Sequence, residues 1–63
     1  MDFRKYVGRR VKVDLINSTI FYEGIVLEDT TETCLELKDR NGKFVSLKEE
    51  SVANIREVVS NGY

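Results

Sequence analysis

Apolar side chains recur at every second position in short runs along this chain, and that period restricts it to β-structure. In "RRVKVDLI" Val11, Val13 and Leu15 alternate with Arg10, Lys12 and Asp14, as in a strand with one face buried. "TIFYEGIVLED" is a long β-rich segment with Gly24 in its interior, where glycine marks a bend, a bulge or a close backbone approach. "TCLELKD" alternates again through Leu35 and Leu37, and "KFVSLKE" turns Val45 and Leu47 inward. In "VANIREVV" the spacing of Val52, Ile55, Val58 and Val59 departs from two residues, which implies a bulge or a strand apolar on both faces.

The punctuation between these runs is short. "RNG", residues 40 to 42, predicts a hairpin, because Asn-Gly accepts the positive φ values of a primed turn. Asn17-Ser18 is a weaker turn signal. "DFRKYVG" places Asp2 at an N-cap, Phe3, Tyr6 and Val7 at helical spacing and Gly8 as a stop, which predicts one or two helical turns. With no proline, five strands and one short N-terminal helix, the expected fold is all-β, a small, strongly bent antiparallel barrel. It is read as a single domain over 1–63, with a core of about 3–59 and a frayed tail at 60–63.

A chain of 63 residues buries barely enough apolar surface to fold alone. Cys34 is the only cysteine and there is no histidine, so neither an internal disulfide nor a structural zinc is expected. Self-association remains. The apolar residues of the last strand suit an edge that pairs with a neighbouring copy, although a bend that closes the barrel accounts for them too. No run is long enough to span a membrane, and "MDFRKYVGRR" lacks the apolar stretch of a secretory signal. The expectation is a soluble, cytoplasmic protein.

Catalysis has little to stand on. Cys34 lacks a neighbouring base in sequence and reads as a packed small hydrophobe. The pairs Glu28-Asp29 and Glu49-Glu50 point to opposite faces if they lie on strands, so neither converges on a substrate. No enzyme activity, cofactor or metal is predicted, and binding is the leading class. Net charge is −1, but residues 1 to 15 carry Arg4, Lys5, Arg9, Arg10 and Lys12 against Asp2 and Asp14, while the remainder carries five bases against nine acids. The basic end is drawn to phosphate or is simply solvated. Candidate stacking platforms are Phe3, Tyr6, Phe21 and Tyr22; core packing is favoured for Phe3 and Phe21. Lys38, Arg40, Lys43 and Lys48 read as ordinary surface cations. Thr30, Thr31 and Thr33 serve the turn through hydroxyl-to-backbone bonds, and the same hydroxyls could contact phosphate or ribose.

The order of elements resembles the Sm and Sm-like (Lsm, Hfq) family, a short helix and five bent strands forming an SH3-like barrel. "VSLKEESVANIREV" is similar to the family's second motif: Val45 and Leu47 take strand positions, Lys48 the usual arginine, Glu49 the glycine, Glu50 the acidic place, and Val52, Ile55 and Val58 the apolar ones. Gly24, Leu35 and Leu37 match the first motif. Counting from Gly24 puts Thr30 and Cys34 at the family's base-binding aspartate and asparagine, and a one-residue slip brings in Asp29. "GIVLEDTTET" is also similar to a segment of an archaeal ribonuclease P protein with an Sm-like barrel.

The resemblance implies a homo-oligomeric ring, a hexamer or heptamer, that binds single-stranded RNA through pore-facing loops. Asp29, Thr30, Thr31, Thr33, Lys48, Glu50, Arg4 and Tyr22 would form the RNA-binding set. Phe44, Val45, Leu47, Val52, Ile55 and Val58 would form the subunit interface. The alternatives are a ring-forming scaffold for a protein partner and a subunit of a ribonucleoprotein such as ribonuclease P.

Overall fold

A computed structural model describes residues 2–59. A 3-10 turn, Phe3–Tyr6, precedes five strands: β1 (Arg10–Leu15), β2 (Phe21–Val26), β3 (Cys34–Lys38), β4 (Phe44–Lys48) and β5 (Val52–Glu57). A second 3-10 turn, Glu49–Ser51, joins β4 to β5. All pairings are antiparallel and form one sheet in the order β4-β3-β2-β1-β5. The all-β, five-stranded antiparallel expectation holds, and the five strands of the described residues form one sheet that is not closed. The predicted helix is only a 3-10 turn of four residues. The tail expected to fray, 60–63, lies outside the described residues. No helix among those residues is long and apolar enough to cross a membrane.

The short β4–β5 connection dictates the shape of the sheet. Four interstrand gaps of about 4.8 Å would hold the two edges about 19 Å apart in a flat sheet. The four backbone steps from Lys48 to Val52 reach at most about 14 Å. The sheet therefore curls, with its inward face closing over a core of Phe3, Val11, Val13, Val26, Leu35, Leu37, Leu47, Val52 and Ile55. Two backbone bonds pin the connecting turn: Glu49 N donates to the Thr33 carbonyl at 2.8 Å and Ile16 N to the Ser51 carbonyl at 3.0 Å.

Alternation assigns the faces as the sequence implies. Val11 and Val13 are fully buried while Arg10 is exposed. The irregular period of β5 is a bulge. Asp14 pairs with Asn54 and Leu15 with Val52, so Ala53 is the extra residue, and both Val52 and Ile55 reach the core. Phe3 is carried into the core by the N-terminal turn, where the Asp2 carboxylate caps Arg4 N at 3.0 Å. Gly8, at φ 83°, ends that turn in a conformation that glycine adopts without steric cost.

The hairpin at 39–43 differs from the expected primed turn. Only Gly42 has positive φ; Asn41 does not. Gly42 N donates to the Asp39 carbonyl at 2.9 Å, and Asp39 Oδ1 accepts from Asn41 N and Lys43 N, both at 2.9 Å. Asp at the first position and Gly at the fourth favour a type I turn followed by a left-handed residue. The Asp39 side chain thus decided the turn type over the Asn-Gly pair.

Gly24 is the position where β2 passes closest to the end of β3. A Cβ built there would lie 2.5 Å from the Lys38 carbonyl oxygen and 3.2 Å from Asp39 Cα. Both are backbone atoms, which cannot rotate away. Gly24→Ala is expected to cost about 1–3 kcal/mol by overpacking, a large share of the few kcal/mol available to a domain of this size. Urea denaturation should show a lower midpoint with an unchanged slope; an unaltered midpoint would contradict the close approach.

Candidate nucleic-acid interface

The loop between β2 and β3 is built by its threonines. Thr30 is buried, and its Oγ1 accepts from Glu36 N at 3.0 Å and donates to the Glu36 carbonyl at 3.3 Å. Thr31 Oγ1 accepts from Cys34 N at 3.1 Å. Both hydroxyls hold the loop's own backbone, as the turn reading anticipated; Thr30 is used as donor and acceptor, whereas the exposed Thr31 hydroxyl only accepts. Asp29 and Thr33 are exposed, and their side chains make no hydrogen bond among the described residues. The Glu49 N to Thr33 carbonyl bond lays Lys48, Glu49 and Glu50 beside this loop. Two segments from different parts of the sequence, Asp29–Thr33 and Lys48–Glu50, thus meet at one end of the sheet. The two segments carry Asp29, Glu32, Glu49 and Glu50 against Lys48 alone, so their summed charge is negative.

Arg4 borders the same loop, since Phe3 N donates to the Glu32 carbonyl at 3.5 Å, whereas Tyr22 lies elsewhere. Arg4 is engaged by Asp2 in a fork, Nε to Oδ1 at 3.0 Å and Nη2 to Oδ2 at 2.8 Å, with Glu32 Oε1 at 3.9 Å. Arg9 is likewise paired, Nη1 to Glu57 Oε2 at 3.0 Å. Of the five cations of the basic end, Arg4 and Arg9 are thus paired, whereas Lys5, Arg10 and Lys12 have no carboxylate within ion-pair distance among the described residues. Tyr22 is half-buried against the core, opposite Val13.

Phe21, read from sequence as a core residue, is 51% exposed. It shares parity with Glu23 and Ile25 on the outward face of β2, whereas Tyr22 takes the inward place. Lys12 Nζ sits 4.2 Å from the Phe21 ring centroid. Phe44 is 69% exposed on β4, with Lys38 Nζ 5.8 Å from its ring centroid. The sequence reading offered Phe21 as a stacking platform but favoured the core for it, and placed Phe44 in a subunit interface, so the pairing of both rings with lysines on one outward face was not foreseen. Its signal was available in the register of the alternating runs.

Among the residues assigned to a subunit interface, Leu47, Val52 and Ile55 belong to the chain's own core, and Val45 packs against it. Alternate residues of an edge strand still face inward, whatever pairs with the edge. Val58 is half-buried and Phe44 alone of the six is exposed. Cys34 also differs from its expected role as a packed hydrophobe. It is half-buried, and its Sγ donates to Glu36 Oε2 at 3.2 Å and lies 3.4 Å from Ser46 Oγ, which donates to the same carboxylate oxygen at 2.9 Å.

Comparison with protein families, with curated proteins and with solved structures returns no match to this chain.

Two measurements check this geometry. The Arg4 guanidinium, followed by the Arg4 backbone N–H, holds the Asp2 carboxyl down from 3.8 to about 2. A depressed carboxylate pKa contributes stability that is present above 3.8 and is lost as pH falls toward about 2. An NMR titration should place the Asp2 midpoint near 2 and raise it toward the ordinary range in Arg4→Ala, where only the backbone N–H bond remains; equal midpoints in the two proteins would refute the fork. Thr30→Val keeps the shape but strips both hydroxyl bonds from Glu36, at an expected cost of about 1–3 kcal/mol. Faster amide exchange at Glu36 should accompany the loss, and wild-type protection there would show that the hydroxyl is not what holds the loop.

Proposed function

We propose that this chain is an Sm-like subunit that assembles edge to edge into a homo-oligomeric ring and binds single-stranded RNA. The observation that carries the reading is the strand order. β4 and β5, joined by a turn of three residues, lie at opposite ends of the sheet and are not paired with each other. Each edge offers unpaired backbone groups, and a small domain with two free edges is prone to add a neighbour's strand. Because the two edges differ, β4 on β5 of the next copy is a head-to-tail contact, which closes into a ring when the rotation permits.

The joint would rest on backbone hydrogen bonds and on the rim residues Val45 and Val58, since Leu47, Val52 and Ile55 are used internally and Phe44 stands on the outward face with Lys38. Assembly brings the Asp29–Thr33 and Lys48–Glu50 segments of every copy together. Weak contacts per copy then add through multivalency. A second reading, a scaffold ring that holds a protein partner, is favoured by one observation: the acids around Lys48 repel phosphate and would suit a basic partner.

Solution mass and nucleic-acid binding separate these readings. Light scattering at micromolar concentration should give six or seven times the 7.3 kDa of one chain. A monomer at high concentration removes the ring and favours the ribonucleoprotein-subunit alternative. Short oligo-uridine should bind with an affinity that falls as salt rises, by a log–log slope of about −0.7 per phosphate contact. A ring that binds no oligonucleotide at low salt supports the scaffold.

A further inference from the structure

The outward face of the sheet carries a row of side chains that the loop-based reading does not use. Arg10 on β1 pairs with Ile25 on β2, Ile25 with Lys38 on β3, and Lys38 with Phe44 on β4. Cross-strand partners share a face, and all four residues are exposed. Next to this row Lys12 lies between Glu23 and Arg56 and leans over Phe21. The face therefore interleaves cations with two exposed rings.

A small cavity of about 50 Å³ opens on this row above Gly24, bounded by Arg10, Lys38 and Arg40 and by the carboxylates Glu23 and Asp39. Asp39 Oδ1 is already held by two backbone N–H groups of its turn. Among the described residues, Arg10, Lys12, Lys38, Arg40 and Arg56 have no carboxylate within ion-pair distance, in contrast to Arg4 and Arg9.

We infer that this cavity is a phosphate site, and that a single strand of nucleic acid crosses the outward sheet face with one backbone phosphate between Arg10, Lys38 and Arg40 and bases against Phe44 and Phe21. Three cations around a cavity of this size fit an anionic group, and flanking rings fit the bases beside it. An acidic peptide would satisfy the charges but would leave the rings without a stacking partner. The inference rests on the RNA reading for its ligand. It does not rest on the ring, because every residue named belongs to one chain.

The test compares wild-type chain with two variants against oligo-uridine across a salt series: Arg10→Ala with Lys38→Ala on the face, and Asp29→Ala with Thr33→Ala at the loop. Circular dichroism controls for folding. The face variant should bind at least tenfold more weakly, with a log–log salt slope shallower by up to about 0.7 for the one phosphate the cavity holds, and Arg10→Lys should recover part of the affinity. Amide shifts on adding oligo-uridine should cluster at residues 10, 25 and 38–40, and uridine monophosphate should move the same amides at higher concentration.

Unchanged affinity and slope in the face variant, with loss in the loop variant, overturn this site and leave the ring reading standing. Loss in the face variant alone supports the site and counts against the loops. Displacement of the oligonucleotide by polyglutamate of equal charge overturns the nucleic-acid assignment, as does phosphate binding with no oligonucleotide binding. Absence of any oligonucleotide binding by the wild-type chain overturns both readings.

Discussion

Two strands adjacent in sequence stand at opposite ends of one sheet, and only three residues connect them. Everything else in the fold answers to that constraint. The sheet curls because the turn cannot span a flat one, and curling gives a chain of this size an interior. Phe3 reaches that interior from the N-terminal turn. Gly24 lets β2 approach the backbone that leaves β3, and the Ala53 bulge rotates β5 so that both Val52 and Ile55 face inward. The same constraint leaves β4 and β5 unpaired along their outer sides. The curl that makes the core also makes two unlike edges.

Polar groups inside this structure are committed to holding it. No buried side-chain nitrogen or oxygen among the described residues lacks a hydrogen bond. Thr30 illustrates the reason: a buried hydroxyl without partners is costly, and the Glu36 backbone supplies both a donor and an acceptor. The loop is thereby fixed against β3, and its acidic residues are left on the outside. Glu36 in turn uses its carboxylate to gather Cys34 and Ser46 on the outward face. A ligand at this end would meet Asp29, Thr31, Thr33 and Lys48, and the buried Thr30 hydroxyl is withheld from it.

Electrostatics redirects attention in the same way. A count along the chain puts the excess of positive charge at the N-terminal end, yet folding pairs Arg4 with Asp2 and Arg9 with Glu57. The Arg9–Glu57 pair joins residues far apart in sequence. Arg10 and Lys12 of that same end keep no carboxylate within ion-pair distance among the described residues and stand with Lys38 on the outward sheet face, where a phosphate would meet less competition.

Alternation in "RRVKVDL", "CLEL" and "FVSLK" was enough to determine β-structure and the inward set Val11, Val13, Leu35, Leu37 and Leu47, because a strand has a fixed period of two. The anomalous spacing of Val52 and Ile55 announced a bulge for the same reason. Turn types were less legible: Asp39 overruled Asn-Gly at residues 40 to 42 through a side-chain bond that adjacent residues alone do not imply. Phe21 and Tyr22 were interchanged, since assigning a face requires the register against β1, and register is a property of the pair. The open sheet, the pairing of Arg9 with Glu57 and the outward row from Arg10 to Phe44 were decided only by tertiary structure. Each depends on which strands stand side by side, and that is set by how short connections curl the whole sheet around its core.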